Sequence, residues 1–373
     1  MSWFDVLSSL EAIIANQKPD PSWEAGKTLS RKRHEVSENL NKDLAQLAEQ
    51  AEFIFSPNLN PDLYTRQMSA LFQSWHQNEK APSLCAITIF ACQHLGISEN
   101  DPLAPAMMMA GLLGGVENTL AYHNNMHFKN VLLQTAGLIA AHNEIHEDQP
   151  QELQRDHMAL LLLSACIHDL GHEGRGNITA DGTYLQSRAE KHSFGLAKPY
   201  LLEAGLEEVE LEDVLILLIA TDVIALDGHA SPVSQVKEAY RQHFMNGPAA
   251  RLQSDLHILQ KRADLALMGL LLHEADLATS AGLDYTMTAF ETALFRQETA
   301  KDRAKPSHIV SFMEKICGGT MLSTAAQKIF GASMQAVLQK AREDVALGDE
   351  PFPAADDFDF LTGLELPQAQ TIN

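Results

Sequence analysis

Three short segments of this 373-residue chain carry histidine and carboxylate at spacings that could hold a divalent cation. The first is Tyr122-His123-Asn124-Asn125-Met126-His127, whose two histidines share one face at i,i+4 if the segment is helical. The second is His168-Asp169-Leu170-Gly171-His172-Glu173-Gly174-Arg175-Gly176-Asn177, and the third is His273-Glu274-Ala275-Asp276. Imidazole nitrogens and carboxylate oxygens together suit hard or borderline ions such as Zn²⁺, Mn²⁺ or Mg²⁺. Taken singly, the histidine pair reads more plainly as a polar helix face, and Asp276 as a carboxylate at a helix end or in a loop. The adjacent His168-Asp169, with His172 just beyond, is far less ordinary, and the three segments together point to a metal site. Such a site can activate water, neutralise phosphate oxygens and align an in-line displacement. An imidazole titrating near neutrality can protonate the leaving oxygen.

The elements that must position these residues read as helices. His168 and Asp169 follow the apolar run Met158–Ile167 directly, so a buried helix delivers them at its end. Gly171, Gly174 and Gly176 then let the backbone turn away. Asp276 similarly follows the apolar run Leu265–Leu272 and is expected where that helix emerges from the core. Burying charge beside such runs is costly unless it is paired or bound to a metal. From about Gln67 to Ala346 the chain is rich in Ala, Leu and Met, with long amphipathic stretches and short Gly, Pro or Asn breaks. That pattern argues an all-α, compact multi-helix fold rather than alternating strands and helices. Three regions are expected: a helical N-terminal region (1–68), a main domain (69–346) and an acidic, flexible tail (347–373), in which Phe352, Phe358, Phe360 and Leu361 offer docking points.

Composition narrows the class. Apolar residues make 45% of the chain and charged ones 20%, as in globular proteins. A formal charge of −22 argues against binding nucleic acid or an anionic membrane surface. An anionic substrate would therefore need positive charge supplied locally, which a metal ion can do. No apolar run is long enough for a membrane span, no signal peptide is visible at Met1-Ser2-Trp3-Phe4, and Cys85, Cys92, Cys166 and Cys317 show no framework spacing. A cytoplasmic protein with reduced thiols is the expectation. Amphipathic helices near the N-terminus would permit a homodimer, although packing within one chain explains the same pattern.

These motifs resemble those of the HD superfamily of metal-dependent phosphohydrolases. More closely, they are similar to the catalytic domain of class I 3′,5′-cyclic nucleotide phosphodiesterases, over about residues 70–340. The resemblance implies that His127, His168, Asp169 and Asp276 hold the tighter metal, Zn²⁺, and that Asp169 bridges to a second ion, Mg²⁺ or Mn²⁺. It implies a bridging hydroxide attacking phosphorus and His123 protonating the leaving oxygen. His172 and Glu190 would orient metal ligands or waters, and Tyr122, Asn177, Ile309 and Phe312 would line the substrate pocket. Thr221-Asp222 and Phe295-Arg296-Gln297 also fall where the family has pocket segments.

The chain departs from the family where the base is read. In Ser307-His308-Ile309-Val310-Ser311-Phe312, Phe312 takes the aromatic clamp position, but Ile309 stands where a purine-reading glutamine is expected. Ala278-Thr279-Ser280 likewise replaces a Ser-Asn-Pro stretch. The sequence reading is a two-metal phosphodiesterase acting on a small phosphodiester, foremost a cyclic nucleotide. Its alternatives are an HD-type hydrolase of another phosphoester and a catalytically weak, metal-containing nucleotide sensor.

Overall fold

Serine, asparagine and aspartate mark where many of the helices begin. Ser2, Ser83, Asn124, Ser231, Asp284 and Ser323 each accept a hydrogen bond from a first-turn backbone N–H, satisfying donors that the helix cannot. The computed structural model describes residues 1–56, 60–78, 81–225, 230–299, 302–358 and 360. The helices are α1 (Trp3–Asn16), α2 (Leu29–Gln50), α3 (Pro61–Asn78), α4 (Leu84–His94), α5 (Ala104–Gly114), α6 (Asn125–Ile145) and α7 (Arg155–Ile167). They continue with α8 (Arg188–Glu203), α9 (Glu208–Ile219), α10 (Pro232–Phe244), α11 (Ala263–Ala281), α12 (Tyr285–Glu298), α13 (Pro306–Lys315) and α14 (Thr324–Leu347). Short 3₁₀ turns complete the chain. No strand occurs among the described residues, and an isolated pairing of Ile178 with Tyr184 closes the loop before α8. The fold is all-α.

α11 is the axis of the molecule. It is apolar nearly all round, as a helix must be to sit inside a core, and it packs against α6, α7, α9, α10, α12 and α14. α7, buried from Met158 to Ile167, crosses α5 and α6. Close crossing depends on Gly114 at the end of α5, where a Cβ would collide with the carbonyl oxygen of Cys166. The N-terminal helices join this same core. Val6, Leu7 and Leu10 of α1 pack toward α5 and α8, while Leu29, Leu40 and Leu47 of α2 pack toward α4 and α5.

Two expectations change at element level. α11 does not end before Asp276 but runs on to Ala281, because no breaker intervenes before Gly282. And α6 begins at Asn125, so His123 precedes it and the two histidines of the first motif do not share a helix face. Asn124 causes this, since its Oδ1 accepts from the N–H groups of Met126 and His127 at 2.8 and 3.2 Å and so fixes the first turn. In the acidic C-terminal stretch, Phe358 and Phe360 set their ring edges against Phe290 of α12. Leu361 and the remainder of the expected tail lie outside the described residues.

Candidate metal centre and its histidine–glutamate neighbour

His168 caps the C-terminus of α7, buried to 1% exposure. Its Nδ1–H donates to the carbonyl of Ala165 at 3.0 Å, which fixes the tautomer and leaves the Nε2 lone pair free. That Nε2 lies 3.2 Å from Nε2 of His127 and 3.3 Å from Asp169 Oδ2. His127, on the first turn of α6, places the same nitrogen 3.6 Å from Asp169 Oδ2 and 3.3 Å from Asp276 Oδ1. Four side chains from three helix segments thus converge. Burial opposes charge on His127, but Asp169 and Asp276 outweigh it and raise its pKa to about 10. Both carboxyls are held below their ordinary range, against burial, by His168 and His127.

The donor set fits a divalent cation. Ligand atoms spaced by about 3.3 Å are those of a tetrahedral ion with bonds near 2.0–2.1 Å, and His127, His168 and Asp169 bring their atoms within 4.8 Å of one another. In the protein alone, two imidazole nitrogens and two carboxylates face each other, and one cation among them would satisfy all four. The Nδ1 of His127 is buried with no partner.

A second group lies beside it. His123 Nδ1 donates to Glu298 Oε1 at 2.6 Å, and the N–H groups of Tyr122 and His123 donate to Glu298 Oε2 at 2.8 and 2.9 Å. His172 stacks on His123 with ring centroids 3.8 Å apart. These three side chains also cluster closely enough to hold an ion. Their geometry is wrong for it: stacked rings aim their lone pairs side by side, and the Glu298 carboxylate is already taken by three donors. The arrangement instead fixes the His123 tautomer, with the proton on Nδ1 and Nε2 left to exchange protons. Burial works against the Glu298 charge, yet its bond from His123 holds the pKa down at about 2. Burial, then the His123 charge, lowers His172 to about 4, so it is neutral at pH 7.

Glu298 was not among the residues marked in the sequence. A carboxylate in the last turn of a helix opposes the macrodipole and so calls for a partner, and that was the available signal. Glu291, two turns before it on the same face of α12, is buried to 2% exposure and was missed as well; burial raises its pKa to about 7.

The remaining residues fall in different surroundings. Glu190, on the first turn of α8, is buried, and burial together with Asp222 raises its pKa to about 8. Asp222 accepts from the N–H and hydroxyl of Ser187 at 2.9 and 3.0 Å. Asn177 Oδ1 accepts from Ala189 N at 2.7 Å, tying the glycine-rich loop to the start of α8. Tyr122 covers His127 with its ring and shares a hydrogen bond with Ser280 at 2.7 Å. Phe312 is half-buried on α13. Ile309, on α13, is at 0% exposure and packs within the apolar core.

Among solved structures, the chain is similar to the Leishmania protein LmjPDEB1 in complex with IBMX. The identity is 14%, the match covers 91% of this chain and 96% of that one, and the TM-score is 0.45. No family model matches the sequence. No curated protein matches it either. Among the described residues, no helix is long and apolar enough to cross a membrane.

Proposed function

We propose that this chain is a metal-dependent phosphodiesterase that hydrolyses a 3′,5′-cyclic nucleotide to the 5′-monophosphate. The observation that carries the reading is the pairing of two adjacent groups: the convergent His127, His168, Asp169 and Asp276 donors, and His123 fixed by Glu298 beside them. A structural metal site has no use for a proton donor held in one tautomer next to it. When bound, Zn²⁺ at these donors, with Mg²⁺ or Mn²⁺ sharing Asp169, would supply charge to the phosphate oxygens and activate water. His123 hands the Nε2 proton of its imidazolium to the leaving ribose oxygen and keeps the Nδ1 proton bonded to Glu298, which holds the ring oriented. Tyr122 walls the site over His127. His172 stacks on His123 and remains neutral, and Glu190 stands in the first turn of α8, which Asn177 ties to the glycine-rich loop.

The buried Ile309 favours a second reading, hydrolysis of a phosphodiester without a purine, since nothing at that position can read a base edge. One experiment separates the readings: elemental analysis joined to a hydrolysis screen on cyclic AMP, cyclic GMP and bis(nitrophenyl) phosphate. Turnover of a cyclic nucleotide supports the first, turnover of the chromogenic ester alone supports the second, and bound metal without any turnover points to a sensor. Asp169→Asn and Asp276→Asn are expected to lose metal and activity together and to melt at lower temperature, because a neutral amide is a weaker ligand and the metal stabilises only the folded state. Wild-type metal content in both variants would overturn the ligand assignment.

A further inference from the structure

The segment following α14 binds back onto the helices that frame the site. Gly348, at φ 139°, ends α14, and Asp349, at φ 55°, turns the chain toward α13. α13 begins with Pro306, which has no N–H, so Ser307 offers the first free donors of that helix. Asp349 takes both: Ser307 N–H donates to Oδ1 at 2.8 Å and Ser307 Oγ–H to Oδ2 at 2.7 Å. Three residues on, the N–H of Phe352 donates to the carbonyl of Ala304 at 2.8 Å, within the connection between α12 and α13. The Phe352 ring meets Tyr285 edge-on, and Phe358 and Phe360 meet Phe290 at centroid distances of 5.4 and 4.9 Å. Tyr285 and Phe290 lie on α12, the helix whose last residue, Glu298, holds His123. The segment is thus fastened to the start of α13, to the connection before it and to the outer face of α12.

We propose that Gly348–Phe358, with Phe360, forms a brace that positions Glu298 against His123, making Asp349 and Phe352 positioning residues of the site. An unbraced connection would let the end of α12 fray, and the Glu298 carboxylate would leave His123 before any other part of the site changed. The link to turnover rests on the phosphodiesterase reading; the brace itself does not.

The test uses full-length Asp349→Ala, Phe352→Ala and, as the conservative variant, Asp349→Asn, whose side-chain amide can still accept from Ser307 N–H and donate to its hydroxyl. Backbone hydrogen exchange, metal content and hydrolysis of an alkyl and a nitrophenyl phosphodiester are measured on each. In Asp349→Ala and Phe352→Ala, exchange over residues 294–299, the end of α12, and 302–312 is expected to quicken by about tenfold, the scale of a lost helix cap. Exchange in α6, α7 and α11 and the metal content should stay as in the wild type. kcat should fall on the alkyl ester and little on the nitrophenyl ester, and Asp349→Asn should restore it. Unchanged exchange over 294–299 would overturn the brace, whatever happens over 302–312. Faster exchange with equal losses on both esters would overturn its link to His123. If the wild type hydrolyses neither ester, the activity reading fails, while the exchange data still decide the brace.

Discussion

At the scale of single residues, the proton-handling pair carries more information than the metal ligands. His123 without Glu298 would be a half-buried imidazole free to adopt either tautomer. The bond at 2.6 Å removes that freedom. His123→Ala is expected to keep its metal and lose on the order of 10²–10⁴-fold in turnover on alkyl phosphodiesters, the usual contribution of general acid catalysis. The loss should nearly vanish for a nitrophenyl ester, whose leaving group needs no proton. Glu298→Gln should follow the same pattern, since an amide has one accepting oxygen and cannot keep both the bond from the His123 ring and those from the Tyr122 and His123 N–H groups. Equal losses on both esters would mean that His123 serves the fold. Ile309→Gln makes the opposite kind of statement. The site being fully buried, the new amide would be left without partners and should destabilise the protein by about 1–3 kcal/mol, readable in chemical denaturation, with no gain in nucleotide affinity. Tighter binding of cyclic AMP by that variant would show that the position does reach the pocket.

At the scale of elements, the site depends on where helices stop and how closely they cross. α7 must end at Ile167 for His168 and Asp169 to face α6 and α11, and positive φ angles at Gly171, Gly174 and Gly176 carry the chain away. α6 must begin at Asn125 for His127 to lie in its first turn, and Asn124 sets that start. The crossing of α5 over α7 is set by Gly114, whose missing side chain admits the carbonyl of Cys166, two residues before His168. Gly114→Ala should push the end of α7 outward. The expected result is a loss of about 1–3 kcal/mol in stability, the cost of overpacking, with weakened metal retention. Normal stability and full metal occupancy in Gly114→Ala would show that this crossing can relax without disturbing the site.

For the whole molecule, burial of ionisable groups makes stability depend on acidity in a way that can be signed. His273 is fully buried with neither ring nitrogen partnered, and burial lowers its pKa from 6.5 to about 3. Below pH 6.5 the unfolded chain takes up a proton there that the folded chain refuses, so stability falls as pH drops from 6.5 toward 3. The slope is about 1.4 kcal/mol per pH unit for one proton. His76 and His142, both lowered by burial to about 4, act in the same direction. Glu291, raised by burial to about 7, acts oppositely, because the folded state holds a proton that the unfolded state has released. Comparing His273→Leu with the wild type isolates one term: its denaturation free energy should decline less steeply between pH 6 and pH 4.5. Parallel slopes would show that His273 is protonated in the fold or bound to water.

How much of this was legible beforehand follows from the range over which each cause acts. The all-α fold, the burial of α7 and the delivery of His168 and Asp169 at its end are consequences of apolar runs and glycine breaks within about twenty residues, and the sequence determined them by itself. Even the start of α6 was written locally, in the capping side chain of Asn124. Asp276 was placed at a helix end because an apolar run stopped there, whereas α11 continues until a residue actually breaks it. The Glu298–His123 bond joins residues 175 apart. The stack of His172 on His123, the inward turn of Ile309 and the return of Asp349 to Ser307 likewise depend on how whole helices cross. Helix–helix crossings are settled by the collective fit of many side chains, each contributing little, so no local pattern encodes them. The sequence by itself determined which residue types the site would contain; only the tertiary structure decided which of them face one another.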